Sequence, residues 1–107
     1  MTKEEFDNEI DKLFDQLKTC PSDKCKKNVL KQIYQISLDA LDKGLIENTQ
    51  AAIIICGTRF NAPQQAHQIP FEEIIDLACD LELPSGIIDD DQTVLWQRLR
   101  GLVTELE

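Results

Sequence analysis

Apolar residues recur at helical spacing along most of this chain, and the N-terminal segment shows the pattern most simply. Steps of three and four residues put one apolar face on a helix, formed by Phe6, Ile10, Leu13, Phe14 and Leu17. Thr2 followed by Glu5 is a capping box, and Pro21 disfavours helical backbone in the residue before it. The pattern predicts a first helix from about Lys3 to Lys18.

A second helix follows a short connector, in which Ser22 or Asp23 can cap the helix start through a side-chain oxygen. Its apolar arc is wide, which is typical of a central and heavily packed helix, and Gly44 fits the position after its C-terminus. The arc contains Val29, Leu30, Ile33, Tyr34, Ile36, Leu38, Ala40 and Leu41.

The next apolar run, "NTQAAIIICGTRF", contains three consecutive β-branched residues and could also suit a buried strand. No other segment has the pattern of a strand that could pair with it, and an isolated strand would leave its backbone polar groups without partners. We therefore expect a helix from about Thr49 to Phe60. Residues 57–70, with Gly57, Pro63 and Pro70, form the longest stretch expected to be irregular.

Two further helices complete the pattern. Pro70 suits the first turn of a helix whose inner face is formed by Phe71, Ile74, Ile75, Ala78 and Leu81, and which we expect to end at Pro84. The last helix is expected from about Gln92 to Leu106, on Leu95, Leu99, Leu102, Val103 and Leu106. With 107 residues and 42% hydrophobic composition, residues 1–107 suit a single compact all-α domain of about five helices, orthogonal or bundle-like.

The charge of the chain is concentrated in one segment. Its formal net charge is -9, and residues 69–91 contribute -8 of this, because they contain eight acids and no lysine or arginine. These acids are Glu72, Glu73, Asp76, Asp80, Glu82, Asp89, Asp90 and Asp91. Such a field opposes binding to nucleic acid or to an anionic membrane and favours a basic protein partner.

On the fourth helix, Glu72, Asp76 and Asp80 lie four residues apart and form a ridge opposite the apolar face. Like charges at this spacing repel, and Asp80 and Glu82 lie at the helix C-terminus, where the helix dipole favours cations. Departures from local stability are expected at functional surfaces, so the ridge is a candidate docking surface. The alternative is an ordinary solvated face.

The stretch "IIDDDQTVLW" extends this acidity. One of Asp89, Asp90 and Asp91 is expected to cap the last helix, and the other two to continue the docking surface. The triplet lacks the alternating oxygens, the glycine and the distal glutamate of a calcium loop, so no metal site is expected. Trp96 lies at the edge of the apolar stripe, where it can pack on the core or anchor a partner.

Few residues suit catalysis or cofactor binding. His67 is the only histidine and falls in a polar loop, and no glycine loop could hold a phosphate, so we expect neither an enzyme nor a cofactor. Without a signal peptide or an apolar run long enough to span a membrane, a soluble cytoplasmic protein with reduced thiols is expected. Cys56 and Cys79 lie in apolar runs and are expected in the core.

Two stretches, "TKEEF" at the start of the first helix and "PSGIIDDDQTVLWQ" before the last, resemble those of nuclease-colicin immunity proteins. In size, acidity and helical class the chain resembles the small immunity proteins of bacterial toxin systems. The resemblance implies an acidic surface that docks on a basic toxin, often a nuclease, and blocks or distorts its active site. The acidic residues would steer the encounter, with Trp96 or the loop around Phe60 and His67 as anchors.

Two other interpretations remain open from the sequence. The chain could be a helical adaptor or regulatory subunit that binds a non-toxin protein through the loop from Gly57 to Pro70. It could also be a thiol switch that uses Cys20 and Cys25, which are separated by "PSDK". The lysines around "KCKKNVLK" are expected to complement the acidic helices rather than to bind nucleic acid.

Overall fold

The computed structural model describes residues 1–59, 70–80, 82–83 and 86–107. Six α-helices and no strand are found in these ranges, so the predicted all-α class is confirmed. The helices are α1 (Lys3–Thr19), α2 (Asp23–Asp42), α3 (Asn48–Arg59), α4 (Phe71–Asp80), α5 (Gly86–Asp90) and α6 (Gln92–Glu105). The prediction of about five helices missed α5.

The predicted caps of the first two helices are present. The Thr2 side chain accepts a hydrogen bond from the Glu5 amide, with Oγ1 and N 3.2 Å apart. Of the two candidates at the start of α2, Ser22 is the cap, because its Oγ accepts from the Cys25 amide at 3.2 Å. Each side-chain oxygen satisfies an amide that the first helical turn leaves without a carbonyl partner.

The centre of the fold is formed by α2 and α3. Helix α2 packs against α1, α3 and α6, and α3 packs against α2, α4, α5 and α6. Every residue of α3 from Ala51 to Thr58 is buried. A helix that is apolar on all sides has no amphipathic period, which explains why Ile53, Ile54 and Ile55 could be read as a strand. The prediction of a helix here is confirmed.

The apolar faces predicted for the outer helices are confirmed for most of their residues. All five predicted core residues of α1 are buried, and α6 buries Leu95, Leu99 and Val103 while Leu102 and Leu106 are half-buried against the core. The radius of gyration is 12.7 Å, close to the ~13 Å expected for a compact chain of this length. The helices thus form one globule.

Helix α5, which was not predicted, buries Ile87 and Ile88. Three sequence predictions need correction. The irregular stretch predicted for residues 57–70 starts too early, since α3 continues to Arg59, in agreement with the predicted helix from about Thr49 to Phe60. Cys79, which was expected in the core, is exposed. Cys20 and Cys25, which were expected as reduced thiols, are joined by a disulfide bond with their Cα atoms 5.6 Å apart.

Two side-chain bonds fix the helices relative to each other. The Tyr34 and Thr58 hydroxyls are hydrogen bonded at 2.6 Å in the interior between α2 and α3. The Gln92 amide nitrogen at the start of α6 donates to the carbonyl of Leu41 in the last turn of α2, at 2.7 Å. The second bond ties the start of α6 to the last turn of α2.

Gly57 provides a test of how closely α1 and α3 approach each other. A Cβ atom placed on Gly57 would lie 3.3 Å from Cζ of Phe14, which is buried and cannot move aside freely. We expect Gly57→Ala to destabilise the protein by roughly 1 kcal/mol, because the cost of overpacking exceeds the gain in helix propensity.

A double-mutant cycle in chemical denaturation separates these two contributions. In a Phe14→Leu background the contact is relieved, and Gly57→Ala should then be neutral or stabilising by up to about 1 kcal/mol. An equal cost in both backgrounds would contradict the assigned contact.

Candidate functional site

The segment that contains α4 and α5 carries seven exposed acidic residues. We call them the acidic set: Glu72, Glu73, Asp76, Asp80, Glu82, Asp89 and Asp90. All seven were predicted from the sequence as partner-binding residues. The structure confirms that their side chains are exposed, and α4 and α5, which carry six of them, both pack on α3. Their role in binding stays a prediction.

Helix α4 owes its orientation to a narrow apolar stripe. Ile74 and Ala78 are buried, with Ile75 half-buried against the core, and α4 packs on α3. Because four residues nearly complete a helical turn, Glu72, Asp76 and Asp80 then line the opposite side in consecutive turns. The same amphipathic pattern that docks α4 on the core therefore presents the carboxylates to solvent.

No ion pair among the described residues offsets the charge of the acidic set. Within the described part of the chain, the ion pairs are Lys3 with Asp7, Lys18 with Asp15 and Lys31 with Glu107, none of which involves the set. The fourth helix carries no basic residue in its last turn. The carboxylates therefore repel one another at helical spacing, and Asp80 also lies at the negative end of the helix dipole.

The C-terminus of α4 is closed by a Schellman motif. The Glu82 amide donates to the carbonyl of Cys79 at 3.1 Å, and the Leu83 amide donates to that of Ala78 at 2.7 Å. This geometry needs a left-handed backbone at the first of the two donors, and Glu82 has φ 62°. For a residue with a Cβ atom, this conformation costs roughly 1–2 kcal/mol.

The same motif closes α2, where a glycine occupies the left-handed position. The Gly44 amide donates to the carbonyl of Leu41 at 3.2 Å, the Leu45 amide donates to that of Ala40 at 2.9 Å, and Gly44 has φ 74°. Glycine adopts this conformation without steric cost. One chain thus uses two turns with the same hydrogen bonds, and only the turn after α4 has an acidic residue where glycine is preferred.

We expect Glu82→Gly to stabilise the protein by about 1 kcal/mol, because it relieves the left-handed strain and removes a negative charge from a helix C-terminus. Gly44→Ala is the matched control and should destabilise by about the same amount. Urea denaturation of both variants measures the two changes. A loss of stability in Glu82→Gly would show that the glutamate side chain contributes an interaction that outweighs its backbone strain.

Asp91 has a different role from its two acidic neighbours. Its Oδ1 accepts hydrogen bonds from the amides of Thr93 at 3.0 Å and Val94 at 3.4 Å, so Asp91 is the N-cap of α6. This confirms that one aspartate of the triplet caps the last helix. Asp89 and Asp90 lie in α5 with exposed side chains, which leaves their carboxylates open to solvent.

Trp96 is half-buried and packs against the core, on α6. The Arg100 guanidinium lies over its indole ring, with Cζ 4.0 Å from the ring centroid, which is the geometry of a cation–π contact. The core contact is one of the two roles predicted for Trp96, and its role as an anchor for a partner stays a prediction. Sequence reasoning missed Arg100, although the two residues are four apart on one helix face. The indole therefore lies beneath an exposed cation.

The remaining predicted residues are distributed as follows. Phe60 and His67 lie outside the described residues. Of the lysines in residues 18–31, Lys31 makes the one ion pair between different segments in the described ranges, at 3.5 Å from Glu107. Lys24, Lys26 and Lys27 make no ion pair there, and Glu107 lies beyond the end of α6. The predicted pairing of this lysine cluster with the acidic helices is therefore not found among the described residues.

Chemical reactivity is low at the buried cysteine. Cys56 is fully buried in α3, and this burial raises the pKa of its thiol to about 11, so the thiol is protonated at neutral pH. The described ranges contain no group of three or more histidine, cysteine, aspartate or glutamate side chains placed to hold a metal ion. No helix among the described residues is both long and apolar enough to cross a membrane.

No protein-family model, no curated protein and no solved structure matches this chain.

Proposed function

We propose that this chain is an immunity protein that binds and neutralises a cognate bacterial toxin. The toxin is a basic protein, with a nuclease as the preferred candidate, and the acidic set is the surface that binds it. In this proposal the chain is not an enzyme and needs no cofactor. Its role is to occupy a surface of the toxin that would otherwise meet the toxin's own anionic substrate.

The observation that carries the proposal is the placement of Glu82. It holds a left-handed backbone at an exposed turn, next to Asp80 and at the wrong end of the helix dipole, with no cationic partner among the described residues. Stability would favour glycine or a basic residue there. A strained acidic residue within a larger unpaired acidic set is what a surface selected for an external cation would contain.

The proposed mechanism has two stages. The carboxylates of α4 and α5 first attract the basic toxin over several ångströms, which raises the rate of encounter in low salt. Contacts at the centre of the interface then hold the complex, since a few well-packed residues usually supply most of the binding energy. A nuclease suits this mechanism because its substrate is a polyanion, and a carboxylate surface competes for the same basic groups.

Gene context and co-expression test the proposal together. An immunity gene is expected directly beside a toxin gene, and expression of that toxin alone should stop growth, whereas expression together with this chain should restore it. The purified chain should also form a stable complex with the purified toxin domain. If no neighbouring gene encodes a toxin that this chain neutralises, the proposal is wrong and a helical adaptor for another protein becomes the better interpretation.

A further inference from the structure

The disulfide bond between Cys20 and Cys25 lies at an accessible corner of the fold. Cys20 is the C-cap residue of α1, and Cys25 lies in the first turn of α2 behind its cap Ser22. Both cysteines are half-buried, and the residues between them are exposed. The pair packs partly against the core and is partly open to solvent.

The two cysteines of this bond lie at helix ends of opposite sign: one at the C-terminus of α1 and the other at the N-terminus of α2. Cys25 is near the positive N-terminus of α2, which stabilises a thiolate, and Cys20 is at the negative C-terminus of α1, which destabilises one. Lys24, Lys26 and Lys27 surround Cys25 in the sequence, with Asp23 as the one nearby acid. The local charge therefore adds to the effect of the dipole at Cys25.

We propose that Cys20 and Cys25 form a site of reversible thiol–disulfide exchange, in which Cys25 is the attacking thiolate and the reagents are low-molecular-weight thiols and disulfides of the glutathione type. The site is separate from the acidic set, and this inference does not depend on the proposed function.

The reaction proceeds in two displacements. The Cys25 thiolate, its proton lost to solvent, attacks one sulfur of the small disulfide RSSR, which forms a mixed disulfide and releases RS⁻. Cys20 then loses its proton and attacks Sγ of Cys25, which closes the internal bond and releases the second RS⁻. Two protein thiols are oxidised, RSSR is reduced, and the two RS⁻ take up the two protons to give two RSH.

The other two cysteines do not enter the comparison. Cys56 is buried with a raised pKa and does not compete for the reagent. Cys79 is exposed near the C-terminus of α4, so it is open to the reagent and is replaced by serine in the tests.

The test compares single variants in a Cys79→Ser background. Cys20→Ser leaves Cys25 as the accessible thiol, and Cys25→Ser leaves Cys20. With oxidised glutathione at neutral pH, mass spectrometry should show a mixed disulfide forming at least about tenfold faster on Cys25. Equal rates, or faster reaction at Cys20, would overturn the assignment. Circular dichroism checks that both variants are folded.

A second measurement does not depend on removing either cysteine. The reduced protein in the Cys79→Ser background is treated with a limiting amount of iodoacetamide, and peptide mapping should find the label on Cys25 in preference to Cys20. Lys26→Glu should slow the labelling of Cys25 severalfold, whereas Lys43→Glu, an equal change of charge at the far end of α2, should leave it unchanged. An equal effect of both substitutions would rule out the local role of the lysines.

Reversibility is tested with the unmodified chain in mixtures of reduced and oxidised glutathione. The fraction of internal disulfide should change across this range without accumulation of the mixed form, because the second thiol is held close to the first. A bond that stays closed in a large excess of reduced glutathione is a permanent structural link, and the proposal then fails.

Discussion

Replacement of Glu72, Asp76 and Asp80 by lysine will weaken binding of the proposed toxin partner by roughly a hundredfold or more. The three carboxylates are exposed on consecutive turns of α4, with no cationic partner in the described part of the chain. Their reversal replaces attraction by repulsion in the encounter and at the interface, and electrostatic steering alone changes association rates by about 10- to 1,000-fold. Surface plasmon resonance measures both rate constants.

The matched control is the triple substitution of Asp15, Asp42 and Glu105 by lysine. It changes three exposed acids outside the acidic set and alters the formal net charge equally, from -9 to -3 since each replacement adds two. We expect a small loss of affinity that disappears in high salt, because distant exposed charges are screened. If both triple variants bind equally well, the acidic set is not the docking surface.

Truncation of Phe14 to alanine will cost about 3–5 kcal/mol of unfolding free energy, which is a large part of the stability of an ordinary small domain. Phe14 is 4% exposed and contacts Gly57, so it fills the space between α1 and α3. Removing its ring leaves a cavity in the buried interior beside Gly57. Urea denaturation followed by circular dichroism gives the free energy.

Leu30→Ala provides the comparison for this prediction. Leu30 lies on α2 and is only half-buried against the same core, so its truncation removes less buried surface and leaves no closed cavity. We expect a loss of about 1–2 kcal/mol, below that of Phe14→Ala. Equal losses in the two variants would indicate that the contact of α1 with α3 is loose.

The sequence predicted the outer helices of this fold well because each of them has one solvent-exposed face. The repeated spacing in α1 identifies its buried face down to single residues such as Phe6 and Leu17. Helix α3 was harder, since a fully buried helix has no polar side to give it a period. Helix α5 was missed because Gly86–Asp90 is shorter than two turns, too short for periodicity to be read.

The candidate site was predicted in its residues but not in its geometry. Charge counting found the acidic set, and cap chemistry limited the helix cap to one of three aspartates. No local pattern marks Glu82 as left-handed, because the position is normally identified by glycine. The exposure of Cys79 was also missed. Cys79 follows Ala78 by one residue, and this step turns its side chain about 100° away from the buried stripe.

The disulfide bond could not be predicted from the sequence either, because its formation depends on the path of the connector between α1 and α2. Four intervening residues allow two cysteines to lie close together or far apart, according to the path of the connector. In this fold the turn from the end of α1 to the cap of α2 brings the Cα atoms to 5.6 Å, within the range for a bond. The expectation of reduced thiols, which rested on an expected cytoplasmic location, is wrong for this pair.

The junction before α6 restricts where the length of this protein can change. Asp91 caps α6 through its own side chain, and the next residue, Gln92, binds the carbonyl of Leu41 on another helix. An inserted residue between them would break one of the two anchors, whereas an insertion in an exposed connector breaks none. We expect variants of this chain with insertions to keep Asp91 and Gln92 adjacent, and to differ in length elsewhere.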